Sequence, residues 1–411
     1  MTWREIPIGE ACELINGRAF KPTDWTPEGL PIVRIQNLND ESASFNRYNR
    51  HVRDRFLIDS GALLFSWSGT PGTSFGAFFW NRGPAVLNQH IFHVLTRDNV
   101  DKNYLRYALN GRLNLIIAQA HGGVGLQHIT KDKLEATPIP LPPLPEQRRI
   151  AAILDKADAI RRKRKQAIAL TEDLLRSAFL DMFGDPVTNP KGWPVQPLGE
   201  LATNISDGTH KTPIYVESGV AFLSAKNVRA HRIDWDRTKF ITRSEHQDLI
   251  RRCRPERGDV VLTKSGTIGE AAVIDRDTEF SLFESVALIK LPNGRLSPVF
   301  LAEILNNPSV RRLYGADIKG VGVKHLHLVD IRRLPTICPP KEIQARYARF
   351  VSQLSSAQRC LQSSLATADA LFGALVQRGF RGPLDSSAGT SARITNGSAR
   401  PIAIHEVLDV E

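Results

Sequence analysis

The chain contains an internal repeat, and this repeat limits its possible folds more than any other feature of the sequence. The phrase GGVGLQHIT at 122–130 returns as KGVGVKHLH at 319–327, an offset of 197 residues. The tripeptide Ser-Gly-Thr at 68–70 returns at the same offset, at 265–267. Anchors that share one spacing indicate that a long segment was duplicated and then diverged. The sequence therefore predicts two copies of one fold rather than a single large domain.

Further anchors repeat at the slightly shorter offset of 190 residues. They are a tryptophan, a glycine and an asparagine in each copy, namely Trp3 and Trp193, Gly29 and Gly219, and Asn37 and Asn227. A net insertion of seven residues between the two sets of anchors accounts for the change of offset. Each copy is about 140 residues long, which is enough for a domain with its own core.

A long helix is predicted after each copy. The segment that begins at Glu146 contains no glycine or proline until Gly184, which is typical of one continuous helix. In both segments apolar residues alternate steps of three and four, the pattern of a heptad seam. The seam positions are Ile150, Ile153, Ala157, Ile160 and Leu174 in the first helix and Tyr347, Phe350, Leu354, Leu361, Leu371 and Leu375 in the second. Packing on a globular neighbour also produces such a stripe, but two seams in one register favour helices that pack on each other.

The copies themselves are predicted to mix strands and helices. Runs such as ALLFSWSG and LPIVRIQNL in the first copy and FSLFESVALIKL in the second are rich in β-branched and aromatic residues, whereas 102–119 and 299–313 have helical patterns. The predicted fold class is α+β, with two repeated α+β domains separated by two long helices. The predicted boundaries are 1–141 for the first domain, 142–185 for the central helical spacer, 186–338 for the second domain, 339–380 for the C-terminal helical spacer and 381–411 for a flexible tail.

The charge of the chain favours a polyanionic partner. The formal net charge is +11 and the pI is about 9.6, so nucleic acid is the first candidate and an anionic membrane surface the second. The four cysteines form no CxxC pair, which favours reduced, structural thiols and a cytoplasmic location. No apolar run is long enough to span a bilayer, so membrane insertion is not expected.

The sequence offers no recognisable catalytic site. It contains no G-x-x-x-x-G-K-[ST] phosphate loop, no [ND]-P-P-[YF] methyltransferase motif and no cluster of carboxylates for a metal ion. Four histidines, His121, His128, His325 and His327, flank the repeated glycine stretches, but no nucleophile or carboxylate recurs with them in both copies. We therefore predict no catalytic residue, no metal and no cofactor in this chain.

The repeated positions instead predict DNA binding. Arginine, glutamine and asparagine bond base edges, while glycine-rich turns and hydroxyl groups suit phosphates. The candidate residues are Arg34, Gln36, Asn37, Ser68, Thr70, Gln127 and His128 in the first copy and Lys226, Asn227, Lys264, Ser265, Thr267, Lys324 and His325 in the second. Arg34, Gln36 and Asn37 are predicted on or beside one strand.

The order of these segments resembles the specificity subunit of a type I restriction-modification system. The resemblance covers about residues 1–380, and its most specific block is LPPLPEQRRIAAILDKAD, which begins at Leu141. In the second copy Lys341 to Gln344 departs from the Pro-Glu-Gln of this block. The resemblance implies two target recognition domains, each reading one half of a bipartite asymmetric DNA sequence. It also implies an antiparallel coiled coil that sets the unread spacer.

The same resemblance implies the partners of the chain. Two methyltransferase subunits would dock on the helices, and restriction subunits would join to cleave DNA. The assembled complex would be an adenine methyltransferase and an ATP-dependent endonuclease, with S-adenosylmethionine, ATP and Mg²⁺ held in the partner subunits. The resemblance does not identify the side chains that touch bases.

Two alternatives remain open from the sequence alone. The chain could be a DNA-modifying enzyme, either a nuclease or a methyltransferase, with an unrecognised active site. It could also be a protein-interaction scaffold whose basic charge is incidental. Likewise, the RRKRK run at 161–165 is explained either as a solvated helix face or as a contact to DNA or a partner.

Overall fold

A computed structural model of the chain describes residues 2–70, 73–123, 126–292, 294–316 and 325–382. These residues divide into two compact units. The described residues of unit 1 fall within 2–166 and 362–382, and those of unit 2 within 167–361. Each unit therefore combines one α+β domain with one half of each long helix.

The α+β part of unit 1, domain 1, contains thirteen short strands in the described residues. They are β1 Glu5–Pro7, β2 Cys12–Asn16, β3 Leu30–Val33, β4 Arg47–Tyr48, β5 Leu57–Ile58, β6 Ala62–Ser66, β7 Ser68–Gly69, β8 Gly76–Trp80, β9 Ala85–Leu87, β10 Ile91–Thr96, β11 His121–Gly123, β12 Leu126–His128 and β13 Pro138–Pro140. Its helices are α1 Ile8–Ala11, α2 Ile35–Asn39, α3 Lys102–Gly111, α4 Leu113–Ala118 and α5 Lys131–Ala136, with 3-10 turns at Pro22–Asp24 and Asp54–Phe56. The long helix α6, Leu144–Phe183, follows.

Domain 2, the α+β part of unit 2, has eleven strands in the described residues. They are β14 Val195–Pro197, β15 Asn204–Asp207, β16 Val220–Leu223, β17 Val228–Arg229, β18 Arg232–Ile233, β19 Lys239–Ile241, β20 Val260–Thr263, β21 Ala271–Val273, β22 Phe280–Leu282, β23 Val286–Lys290 and β24 Pro335–Ile337. Its helices are α7 Leu198–Leu201, α8 Arg243–Leu249, α9 Pro298–Asn306, α10 Pro308–Ala316 and α11 Leu328–Arg333, and the long helix α12, Lys341–Arg381, follows.

Both domains are built on the same four-stranded antiparallel sheet. Its strand order is β2-β10-β6-β8 in domain 1 and β15-β23-β20-β21 in domain 2. The registers match: Phe92 pairs with Asn16, and its counterpart Ala287 pairs with Asp207. A second sheet contains a parallel pair in each domain, β3 with β9 within the order β4-β3-β9-β5 and β16 with β22 within the order β19-β16-β22. The duplication seen in the sequence is thus a duplication of topology.

The strand predicted over LPIVRIQNL is too long. It ends at Val33, and the residues from Ile35 to Asn39 form the helix α2, so Arg34, Gln36 and Asn37 do not lie on a strand. The physical reason is local, because the side-chain oxygen of Asn37 accepts a hydrogen bond of 3.1 Å from the Arg34 N–H and closes a helical turn. In domain 2 the Ser224 N–H donates to Asn227 in the same way, at 3.0 Å.

The two long helices run antiparallel within each unit. In unit 1, Arg161 donates to Asp369 at 2.6 Å and Arg164 donates to the Ser364 carbonyl at 2.9 Å. The residue number therefore rises along α6 while that of its partner on α12 falls. In unit 2, Gln358 donates to Glu172 at 3.5 Å. This Gln358–Glu172 pair is the counterpart, at an offset of 197, of the Arg161–Asp369 pair.

The seam follows the predicted positions along most of both helices and departs from them on α6 near residue 174. Of the predicted residues, Ile150, Ile153, Ala157, Tyr347 and Leu375 are buried, whereas Ile160, Phe350, Leu354, Leu361 and Leu371 are partly buried. Leu174, however, is 49% exposed, and Leu175 is buried in its place. The buried positions in this part of α6 advance in steps of four, from Thr171 to Leu175 and Phe179. An α-helix of 3.6 residues per turn drifts away from a strict heptad in this way.

An aromatic residue near the end of each long helix anchors that helix to a domain. Phe183 of α6 lies 4.5 Å from Phe300 in unit 2, and Phe380 of α12 lies 5.8 Å from Tyr104 in unit 1, both measured between ring centroids. The repeated tryptophans, Trp3 and Trp193, bind the backbone at these same helix ends. The Trp3 indole donates to the Gly379 carbonyl at 2.8 Å and the Trp193 indole donates to the Phe183 carbonyl at 2.9 Å.

Among the residues that the structure describes, no helix combines the length and the apolar composition that a membrane span requires.

Candidate nucleic-acid interface

Strand pairing in domain 1 brings four of the predicted residues together. Strand β7 pairs with β12, so Ser68 lies opposite His128 and Gly69 lies opposite Gln127. His128 is exposed and Gln127 is half-buried. The exposed Thr70 follows directly, at the end of β7. The two phrases that the sequence repeats at an offset of 197 are therefore neighbours in the fold.

Aromatic and basic groups surround this strand pair. The centroid of the Trp67 ring lies 5.3 Å from that of the His90 ring, and the backbone N–H of Trp67 donates to the backbone carbonyl of His90 at 3.3 Å. Burial, together with the positive charges of Arg34 and His128, lowers the pKa of His90 below its ordinary value. Arg34 and His128 therefore both lie near enough to His90 for their charges to act on its ring. We call Arg34, Trp67, Ser68, His90 and His128 face 1.

Domain 2 repeats the pairing with different side chains. Ser265 bridges to His325 as Ser68 pairs with His128. The counterpart of Trp67 is Lys264, whose N–H donates to the Ser285 carbonyl at 2.8 Å, so Ser285 stands where domain 1 has His90. Thr267 is exposed. Lys324 lies outside the described residues.

The side chains at the Trp67 position differ most in chemistry. In domain 1 the Trp67 indole donates to the side chain of Asn16 at 3.2 Å. In domain 2 the ammonium of Lys264 donates to the carboxylate of Asp207 at 2.5 Å, and both side chains are buried. Asn16 and Asp207 occupy the same register position of their sheets. A neutral hydrogen bond in domain 1 thus corresponds to a buried ion pair in domain 2.

Asp207 also holds two exposed basic groups. Arg252 donates to its Oδ1 at 2.8 Å, and His210 lies 3.4 Å from its Oδ2. Burial alone would raise the pKa of Asp207, but the hydrogen bond from Lys264 and the charges of Lys264, His210 and Arg252 hold that pKa below its usual value. One carboxylate therefore organises three basic side chains, and we call Asp207, His210, Arg252, Lys264 and Ser265 face 2.

Asn37 and Asn227 have structural positions. Each is buried, and each donates its amide to two backbone carbonyls, those of Ala43 and Ser44 in domain 1 and those of Asp234 and Arg237 in domain 2. Their hydrogen-bonding groups are occupied within the domain, so we leave both out of the proposed DNA contacts. Gln36 and Lys226, the residues that precede them, are exposed.

Six residues of the two faces and their surroundings were not among the sequence candidates: Asn16, Trp67, His90, Asp207, His210 and Arg252. None of them belongs to a repeated phrase, because their side chains differ between the copies. The available signal was position, since Trp67 and Lys264 directly precede the repeated Ser-Gly-Thr. No group of three or more metal-binding side chains occurs within the part of the chain that the structure describes.

The chain matches known proteins over most of its length. Residues 1–170 match the family model "Type I restriction modification DNA specificity domain". The specificity subunit of the type I restriction enzyme EcoBI from Escherichia coli is 23% identical over 93% of this chain and 86% of its own length. The MjaVIII specificity subunit from Methanocaldococcus jannaschii is 24% identical over 74% of both chains.

A crystal structure of the type I restriction-modification S subunit from M. genitalium has a similar fold. Its TM-score is 0.57 at 15% identity, over 93% of this chain and 97% of the other. These matches confirm the resemblance drawn from the repeated sequence: the chain carries a type I restriction-modification DNA specificity domain in residues 1–170 and is, along most of its length, a relative of the type I specificity subunits.

Proposed function

We propose that this chain is the non-catalytic DNA-recognition subunit of a type I restriction-modification complex. Domain 1 reads one half of a bipartite, asymmetric target through face 1, and domain 2 reads the other half through face 2. The exposed Gln36 and Lys226 are the further candidates for base contact in the two domains. Catalysis belongs to the partner subunits.

The observation that carries this proposal is the contrast between retained registers and changed side chains. The sheets of both domains keep the same strand pairing around Asn16 and Asp207. On this common frame, Trp67 and His90 of domain 1 become Lys264 and Ser285 of domain 2. Two readers of different sequences need this combination, because base edges are distinguished by the side chains placed against them.

The long helices are proposed to fix the spacer and to dock two methyltransferase subunits. On α6, Leu170 and Leu174 are 58% and 49% exposed and lie one helical turn apart. Exposed apolar residues at this spacing suit a protein partner better than solvent. The restriction subunits would join the same assembly.

The cofactors of the complex are assigned to the partners. S-adenosylmethionine would be held by the methyltransferase subunits, and ATP and Mg²⁺ by the restriction subunits. All four cysteines are free thiols, which fits a reducing cytoplasm, where the complex would meet DNA.

The test is to combine the purified chain with its methyltransferase subunits and to map methylated adenines on genomic DNA. A bipartite motif with a fixed unread gap is the expected result. Binding should also weaken steeply as salt is raised, because phosphate contacts release counterions. Methyl transfer or strand cleavage by this chain without partners would instead support the alternative of a DNA-modifying enzyme. Salt-independent binding would support an interaction scaffold.

A further inference from the structure

Each domain exposes an aromatic side chain in the loop before the central strand of its second sheet. Trp25 precedes β3 and is 43% exposed, and Tyr215 precedes β16 and is 39% exposed. The two residues are 190 positions apart, the offset of the other anchors in this part of the chain. Ile214, next to Tyr215, is 77% exposed. Both domains thus present apolar surface at one equivalent position.

The backbone holds both rings in place. The residue after each ring donates a backbone hydrogen bond to the neighbouring strand, from Thr26 to Arg47 at 3.0 Å and from Val216 to Phe240 at 2.9 Å. Each loop then ends at a glycine packed closely on backbone. A Cβ on Gly29 would lie 2.4 Å from the Tyr48 carbonyl oxygen, and a Cβ on Gly219 would lie 2.3 Å from that of Ile241. The loops are therefore fixed at both ends.

Each ring also has a cation over its face. The Arg34 guanidinium lies 6.0 Å from the centroid of Trp25, and the Lys239 ammonium lies 3.8 Å from that of Tyr215. The cations come from different places in the fold, since Arg34 follows β3 and Lys239 lies on β19. Domain 2 has Ser224 where domain 1 has Arg34. The combination of ring and cation is thus common to both domains although the residues that form it are not.

We propose that Trp25 and Tyr215 are DNA-contacting residues, one in each recognition domain, and that their rings pack against a base step or sugar of the target duplex beside phosphates bound by Arg34 and Lys239. The proposal rests on the proposed function. Duplex DNA is the occupant that fits, because an aromatic ring can insert at a base step or pack on a sugar, and the adjacent cation suits a phosphate. In domain 1 the ring also adjoins face 1 through Arg34, whose charge acts on His90.

The experiment measures DNA affinity of the complex reconstituted with methyltransferase subunits. The probes are the bipartite duplex found by adenine mapping and a duplex with scrambled half-sites. Trp25→Ala and Tyr215→Ala should each weaken binding to the bipartite duplex by about 10-fold to 100-fold. Trp25→Phe and Tyr215→Phe should bind within a few-fold of the wild type. Matched controls are Leu115→Ala in unit 1 and Val195→Ala in unit 2, which are 40% and 50% exposed and should leave binding unchanged.

Two further measurements separate contact from structure. Trp25→Leu keeps an apolar side chain in the loop, so it should bind as weakly as Trp25→Ala if the ring contacts DNA and like the wild type if the ring only fills the loop. The logarithm of the association constant for DNA falls with the logarithm of the salt concentration. Arg34→Met and Lys239→Met should each reduce the steepness of this fall by about one, whereas the ring variants should not change it.

The outcomes distinguish this inference from the function on which it rests. If the wild-type complex prefers the bipartite duplex while the alanine and leucine variants bind like the wild type, the aromatic contacts are overturned and the proposed function stands. If the wild-type complex does not distinguish the bipartite from the scrambled duplex, the proposed function fails first.

Discussion

Domain 1 and domain 2 differ at the position before the repeated Ser-Gly-Thr, where one has Trp67 against Asn16 and the other has Lys264 against Asp207. The strand registers around these pairs are the same. Where the long helices end, by contrast, the two domains keep the same contacts, an aromatic pair and an indole hydrogen bond. The two domains have therefore kept their strand registers and helix-end contacts, while the side chains of the proposed reading surface have diverged.

The helix anchors give the largest expected effect on stability. Phe183 is fully buried in unit 2, whereas its counterpart Phe380 is partly buried in unit 1. Phe183→Ala should destabilise unit 2 by about 3–5 kcal/mol, and Phe380→Ala should destabilise unit 1 by less. Hydrogen exchange followed separately in peptides of each unit would measure both effects. Equal losses in both units from either variant would contradict the assignment of one anchor to each unit.

Removing the acceptor of the buried ion pair should lower the free energy of unfolding more than removing the acceptor of the neutral hydrogen bond. Asp207→Ala leaves Lys264 buried without its partner and should cost about 3 kcal/mol, whereas Asn16→Ala should cost about 1 kcal/mol. Denaturation monitored by domain-specific hydrogen exchange would give both values. The double variant Asp207→Asn with Lys264→Met should recover much of the loss. Similar costs for the two single variants would show that the pairs are energetically alike.

The two buried asparagines, Asn37 and Asn227, should behave alike in the two domains. Asn37→Ala and Asn227→Ala each remove a buried amide that bonds three backbone groups, so each should cost about 1–3 kcal/mol. Thermal unfolding, together with hydrogen exchange of the residues around Asn37 and Asn227, would measure the loss of stability. A strong loss of DNA affinity without any loss of stability would return these asparagines to the reading surface.

The smallest expected effect is the contribution of His90 to a pH dependence of DNA affinity in domain 1. The pKa of His90 is lowered, so His90 is neutral at pH 7 and gains a positive charge beside Arg34 only as the pH falls through that pKa. Protonation favours the phosphate backbone, so affinity for the half-site of domain 1 should rise on acidification by a few-fold, on the order of 0.5–1 kcal/mol. The comparison is between wild type and His90→Ser, which introduces the domain 2 residue. A pH response that survives this substitution would assign the effect to other groups.

Much of the frame could be predicted from the sequence, because it depends on residues that both copies retain. The repeated Trp3 and Trp193, the paired asparagines and the long segments without glycine or proline each mark a contact or an element of the fold. The proposed reading surface could not be predicted in the same way. Trp67 and Lys264 share no chemistry, and only the strand registers reveal that they are equivalent. Local geometry was also missed where one side chain decides it, as when Asn37 closes a helical turn after a short strand.

The discontinuity of unit 1 has a consequence for the order in which the protein folds. The hydrogen bond from Trp3 to Gly379 joins residues 376 positions apart, whereas unit 2 lies within one continuous stretch, Ala167–Leu361. During synthesis every residue of unit 2 is made before the last residues that unit 1 needs. Contacts this distant in sequence are slow to form, because a long loop must close first. We therefore expect the part synthesised first to be completed last, with nascent domain 1 depending on chaperones until α12 arrives.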